Sequence, residues 1–314
     1  MPRDRLGYGQ RFATSLYVVT QEADIYACPL CLTRVDLTKI ESLTWDHYPP
    51  QSIGGRDRDT VLICEECRKR WDRIDAQVNV VKKHHEFHRQ FPDATPARIR
   101  YSDVSGRPGP KIRVALSPHE EGIRTVARPG SNSPQLINHI NQIEQELKAS
   151  GRLINQPVVL ETDQDLSFDQ RVVERAFLKA AYLAAFNCLG YPYILSPALA
   201  LVRQQMLDPT VEVFPYRTAF SPFNEAADRE VVTAYIQNPP QLAGFGIIFE
   251  GYNLSNDFMV ILPGREALLL PDYSYLDQKM HPNLSIEFHA FHCSESLIIE
   301  SGIMIQGDSE AWHI

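Results

Sequence analysis

Apolar positions recur along this chain with two different periods, and each stretch of one period predicts an element. Residues 13–20, ATSLYVVT, alternate and predict a strand running into the first cysteines. In ESLTWDH, Leu43 and Trp45 alternate with Ser42 and Thr44, which predicts a second strand. Pro49-Pro50 cannot continue a ladder, so that strand ends at Asp46-His47. Gly54-Gly55 and the charged RDRD form an exposed turn, after which DTVLIC returns as the partner strand. From Glu65 the period becomes that of a helix, with Trp71, Ile74, Val78 and Val81 as its apolar stripe.

Arg89 to Ala127 changes character. RIRYSDVSG and KIRVALS are short alternating runs around GRPGP, a hairpin signal with arginines on one face that suits a duplex backbone or an ordinary exposed sheet. RPGSNSP marks a loop before a helix, QLINHINQIEQELKAS, that ends at Gly151. QPVVLET reads as a strand. RVVERAFLKAAYLAAFNCLGY is apolar on more than one face, which predicts a buried core helix, and SPALALVRQQML starts a further one. Lys179 and Arg203 within them read as surface or capping charges. From Pro209 onward, GFGIIFEGY, DFMVILPG, ALLLPDY and LSIEFHAFHC predict a small sheet or barrel.

A length of 314 residues allows two or three domains, and 44% hydrophobic with 22% charged residues is a globular balance. No apolar run reaches the length of a membrane span, and MPRDRLGYGQRF lacks the apolar core of a secretory signal, so a cytoplasmic location is expected. The net charge of −8 argues against indiscriminate coating of nucleic acid. Its distribution is uneven. Arg68 to Arg113 holds 12 Lys/Arg against 5 Asp/Glu, a local +7, whereas Asp208 to the C-terminus holds 4 against 15, a local −11. Phosphate affinity is therefore expected beside the cysteine pairs rather than in the acidic tail.

Four of the six cysteines form two CxxC pairs, Cys28 with Cys31 and Cys64 with Cys67. Thiolates three apart turn toward one ion, and two such pairs without a redox-fold pattern predict one structural Zn²⁺. Cys188 and Cys293 lie in apolar surroundings and read as core residues. His84, His85 and His88 lie four or more helical turns beyond Cys67, too far to join a site at Asp46, and are expected to be solvated or phosphate-facing. His289 and His292 fall in a strand pattern that does not bring residues three apart to one side.

Taken together, CPLC, DHYPPQSIGG, TVLICEEC and RIDA resemble, in order and spacing, the HNH nucleases whose CxxC pairs bracket the catalytic loop. The resemblance covers residues 28–75, about a sixth of the chain. It implies a ββα-metal unit locked by zinc and a DNA endonuclease that hydrolyses phosphodiester bonds. It implies His47 as the general base and Asp46 as a ligand of a catalytic Mg²⁺ or Mn²⁺, because a neutral imidazole takes water's proton and a carboxylate suits a hard cation. The family's middle Asn falls at Thr60. Its final Asn or His falls at Arg68, and a guanidinium cannot ligate a metal. Asp72, one turn further on the same helix face, is expected to replace that ligand, with Asp75 as second choice and Arg68 steadying the phosphate.

The expected fold is α+β: a ββα-metal (HNH) zinc unit over 1–95, a basic hairpin with helices over 96–208, and an acidic β-rich region over 209–314. Nucleases of this kind occur in bacterial anti-phage and restriction systems, and the resemblance implies such a role. Thr60 and Arg68 support a second reading, a catalytically degenerate zinc protein that binds nucleic acid or serves as an assembly subunit. Nothing separates DNA from RNA. The chain shows no glycine-rich phosphate loop, so a nucleotide-driven step would need a separate ATPase or sensor subunit. No membrane contact is expected, and oligomeric state is open.

Overall fold

The computed structural model describes residues 4–102, 107–119, 122–128, 130–151, 159–162, 166, 168–214, 218–221, 230–238, 240–250, 257–264, 287–291 and 311–313. In chain order these form α1 (Arg5–Thr20), β1 (Ile25–Ala27), β2 (Arg34–Asp36), β3 (Thr44–His47), β4 (Thr60–Ile63) and α2 (Glu65–Gln90). There follow β5 (Thr95–Ser102), β6 (Pro108–His119), β7 (Gly122–Ala127), α3 (Pro134–Ala149) and β8 (Val159–Thr162). The last are α4 (Gln170–Ile194), α5 (Ala200–Leu207), β9 (Thr218–Ser221), β10 (Glu230–Asn238), β11 (Gly244–Glu250), β12 (Asp257–Pro263), β13 (Glu287–Phe291) and β14 (Ala311–His313). The fold is mixed α+β. By proximity the chain groups into two compact units, residues 1–79 with 169–314, and residues 80–168.

Residues 13–20 are the end of helix α1, not a strand. Asp4 caps it by accepting from Gly7 N, and Phe12, Ala13 and Leu16 are buried at helical spacing while Tyr17, Val18 and Val19 stay exposed. The alternation in ATSLYVVT was local. The cap and the spacing over the whole segment prevail, and Phe12 stacks on Phe186 of α4 at 4.4 Å between ring centroids.

β1 pairs with β2, and β3 with β4, both antiparallel, with Asp46 opposite Val61 and His47 opposite Thr60. The expected DTVLIC strand and the helix from Glu65 are both present. Trp71, Ile74, Val78 and Val81 are buried as their stripe requires, and Trp71 Nε1 donates to Met206 O at 3.2 Å. The glycines after the double proline are not a loose turn. Gly55 N donates to Pro50 O, and a Cβ at Gly55 would lie 2.0 Å from Pro49 O, so the chain doubles back too closely for any side chain there.

Helix α4 is buried along most of its length, as an all-round apolar sequence predicts. It packs against a six-stranded sheet of order β14-β13-β10-β11-β12-β9, where Phe177 meets Phe258 at 4.3 Å and Tyr193 Oη donates to Pro263 O at 2.9 Å. The helix breaks at Gly190, which has φ +68°, and Tyr191 N then donates to Ser15 Oγ of α1 at 3.1 Å. A Cβ at Gly190 would sit 2.4 Å from that hydroxyl. Gly190→Ala is therefore expected to lower unfolding free energy by about 2–3 kcal/mol in urea titration, from backbone strain plus the clash. Arg203 is a capping charge, donating to the carbonyls of Ile194 and Ser196 at 2.6 and 2.7 Å. Cys188 is buried but is disulfide-bonded rather than a plain core thiol, and Cys293 lies outside the described residues. So do ALLLPDY and His292. No helix among the described residues is long and apolar enough to cross a membrane.

The second unit contains a four-stranded antiparallel sheet of order β7-β6-β5-β8. β5 and β6 form the expected hairpin. One face carries Ala97, Ile99, Ile112 and Val114 against Ile140 of α3, whose N-cap is Ser133.

Candidate metal centre and carboxylate cluster

The two CxxC pairs come together because each sits where a short strand stops. Cys28 follows β1, in the turn that leads to β2, and Cys64 joins β4 to the first turn of α2. Their four ligand sulfurs lie within 4.8 Å of one another, with Cys31 Sγ and Cys64 Sγ 3.6 Å apart. Tetrahedral thiolates at about 2.3 Å from one ion would stand about 3.8 Å apart, so the set is positioned to bind a metal and is compatible with structural zinc. The crowding splits the thiols. Hydrogen bonds among the sulfurs push Cys28 up and hold Cys31 below the ordinary thiol range.

Three buried tyrosines fix this knuckle to the core. Tyr26 Oη donates to Leu62 O at 2.6 Å, Tyr182 Oη to Pro29 O at 3.0 Å, and Tyr191 Oη to Ala27 O. Burial raises the titration of all three phenols, so each stays a protonated donor.

Asp46 and His47 end β3, and adjacent strand residues point to opposite faces. His47 Nε2 faces Asp57 Oδ1 at 3.5 Å, the outer edge of hydrogen-bond range. Thr60 Oγ1 donates to Asp57 O at 3.1 Å and so holds the loop that faces His47.

Asp46 meets something the sequence reading missed. Lys179 of α4 is neither a surface nor a capping charge: its side chain is 3% exposed, with Nζ 2.6 Å from Asp46 Oδ2 and 2.5 Å from Asp75 Oδ2. Burial pulls its titration down, but the two carboxylates outweigh that and hold the ammonium above its ordinary range. Burial pushes the Asp75 carboxyl up to about 6, against the pull of Lys179. The missed signal was in the pattern. A lysine between Leu178 and Ala180 in a helix with no polar face has to be buried, and a buried ammonium needs acids.

Arg68 and Asp72 stand at the exposed end of the same cluster. Arg68 is held by Glu65 at 2.9 and 2.6 Å and lies 3.8 Å from Asp72 Oδ2. Asp46 and Asp72 both act on the charge of Arg68 and, with Lys179, on that of Asp75, so the five groups share one electrostatic environment. Asp75 Oδ1 is buried without a hydrogen-bond partner, and Asp46 Oδ2 has only the ion pair. Asp75 Oδ1 is the carboxylate oxygen of this pair left open to a further donor or cation, Asp46 Oδ2 being already paired with the ammonium. Among the described residues, however, only the four cysteines already converge as a metal-ligand group.

His84 and His88 belong to the second unit, where their Nε2 atoms approach to 3.2 Å and His84 rests edge-on against Phe168. Burial holds both His84 and His85 below the usual imidazole range.

No family model, curated protein or solved structure matches this chain.

Proposed function

We propose that the protein is a metal-dependent HNH endonuclease acting on phosphodiester bonds in DNA. What supports the reading is that Asp46, at the end of β3 and one residue before His47, and Asp75 of α2 reach the same buried Lys179, in a chain whose four cysteines converge as a metal-ligand group. In this reading β3, β4 and the start of α2 are a ββα-metal unit. The zinc would be held by Cys28, Cys31, Cys64 and Cys67, and a catalytic Mg²⁺ or Mn²⁺ by Asp46 with Asp72 or Asp75. When bound, that cation neutralises charge on the scissile phosphate. With His47 Nε2 turned to Asp57, Nδ1 is the atom that takes the proton of the attacking water. Arg68, oriented by Glu65, steadies the phosphate, and a role in bacterial anti-phage or restriction systems belongs to the same proposal.

The test is Mn²⁺ titration of the zinc-loaded protein. Asp46→Asn should weaken binding by at least about tenfold through loss of the anionic ligand. Whichever of Asp72→Asn and Asp75→Asn has the same effect is the second ligand. Unchanged affinity in Asp46→Asn would sink the metal assignment.

One observation favours a second reading. Lys179 already sets a cation between Asp46 and Asp75, as a protein that had given up its catalytic metal would need. The protein would then be a zinc-stabilised nucleic-acid-binding or assembly subunit, retaining its fold and binding without cutting.

A further inference from the structure

Near its end α2 carries the run His84-His85-Glu86-Phe87-His88. His84 and His88 are four apart, which puts them on one helix face, one turn above the other. His85 is turned by about 100° around the axis from His84 and does not join them. The run is not the H-E-x-x-H of a metalloprotease, because Glu86 stands two places after His84 rather than one, so no hydrolytic base comes with the pair.

The Nε2 atoms of His84 and His88 lie 3.2 Å apart, with the ring planes inclined at 56°. Two imidazoles on one tetrahedral ion, each at about 2.0–2.1 Å, hold their nitrogens about 3.3 Å apart, so the spacing is that of a shared metal. Both rings are held in place. His84 rests edge-on against Phe168 at 5.3 Å, and His88 edge-on at 5.1 Å against Phe87, which is buried with Ala94, Ala115 and Leu166. Nδ1 of His84 is buried with no hydrogen-bond partner, which leaves Nε2 as the nitrogen through which that ring acts. Burial, and then the charge of His88, hold His84 below the ordinary histidine range, so at neutral pH it keeps a lone pair for a ligand bond. His88 lies in the last turn of α2, where the backbone carbonyls favour a cation.

We propose that His84 and His88 bind one divalent transition-metal ion through their Nε2 atoms, fastening the last turns of α2. Imidazole suits Zn²⁺, Ni²⁺ or Cu²⁺, whereas Mg²⁺ and Mn²⁺ seek oxygen, so this ion differs in kind from the one proposed at Asp46. Two ligands stand here against four at the cysteine centre, and water completes the shell. Without the ion, an N–H···N hydrogen bond between the rings spans the same 3.2 Å. The site stands apart from the nuclease reading, and metal binding alone tests it.

The experiment is calorimetric titration of the full chain with Zn²⁺, its cysteine centre already zinc-loaded and Mg²⁺ in excess to occupy carboxylate sites. Expected is one further equivalent of Zn²⁺, weakened at least about tenfold in His84→Gln and in His88→Gln, since even an outer partner of a metal ligand is worth about 10–100-fold. His139→Gln, at an exposed position on α3, should change nothing, and the equivalent should persist in His47→Ala. If His84→Gln does not fold, His88→Gln alone decides. No further equivalent in the wild type, or undiminished affinity in either folded variant, would overturn the site and leave the pair a hydrogen bond. Loss of the equivalent in His47→Ala would overturn it too, by assigning the ion to the loop after β3.

Discussion

Replacing Lys179 by methionine is expected to cost about 3–5 kcal/mol of unfolding free energy, because it strands two inward-facing carboxylates without their cation. The side chain is 3% exposed and contacts both Asp46 and Asp75, so water cannot substitute for the ammonium. For a chain of this size the melting midpoint should fall on the order of 10 °C. Shape is nearly conserved in the substitution, which separates loss of charge from loss of packing. Adding Asp75→Asn to Lys179→Met should recover part of the loss, since one of the two uncompensated acids is then neutral. A double variant no better than the single one would mean that the ion pair is incidental.

Removing the metal from the cysteine centre should have a larger effect still. The β1–β2 and β3–β4 hairpins are three and four residues per strand, too short to hold themselves, and their junctions converge on the four sulfurs. Structural zinc in small units contributes about 10 kcal/mol or more of apparent folding free energy. Chelation, or Cys64→Ser, is expected to unfold residues 24–64 locally, read as tryptic cleavage near Arg56 and Arg58 and loss of the near-UV signal of Trp45. The remaining tyrosine anchors, Tyr182 on Pro29 and Tyr191 on Ala27, set how far the opening spreads. A protease-resistant loop in the metal-free protein would show that the apolar core alone holds this unit.

The parts of this architecture that were legible in the sequence are those whose causes are local. Pro49-Pro50 stops β3, a repeat of buried residues from Trp71 onward makes α2, and two CxxC pairs bring their sulfurs to one place. The same holds for the β5–β6 hairpin with its arginines on one face. What was not legible depends on distant partners. Residues 13–20 alternate as a strand would, yet Asp4 caps a helix and Phe186, far along the chain, receives Phe12. Lys179 and Asp75 are 104 positions apart, and nothing near either announces the other. The Asp57 contact to His47 likewise depends on how the proline and glycine loop doubles back. The carboxylates could be named from the resemblance, but the cation between them required the fold.

The central claim is that Asp46 and His47 form a hydrolytic site, and plasmid nicking tests it most directly. Supercoiled DNA is incubated with Mg²⁺ or Mn²⁺ and the zinc-loaded protein, wild type beside His47→Ala. The account predicts metal-dependent nicking that falls by about 10²–10⁴-fold in the variant, with zinc content and melting midpoint unchanged. Nicking that survives His47→Ala undiminished, or its absence from the wild type under both metals, would contradict the account and favour a zinc protein that binds without cutting.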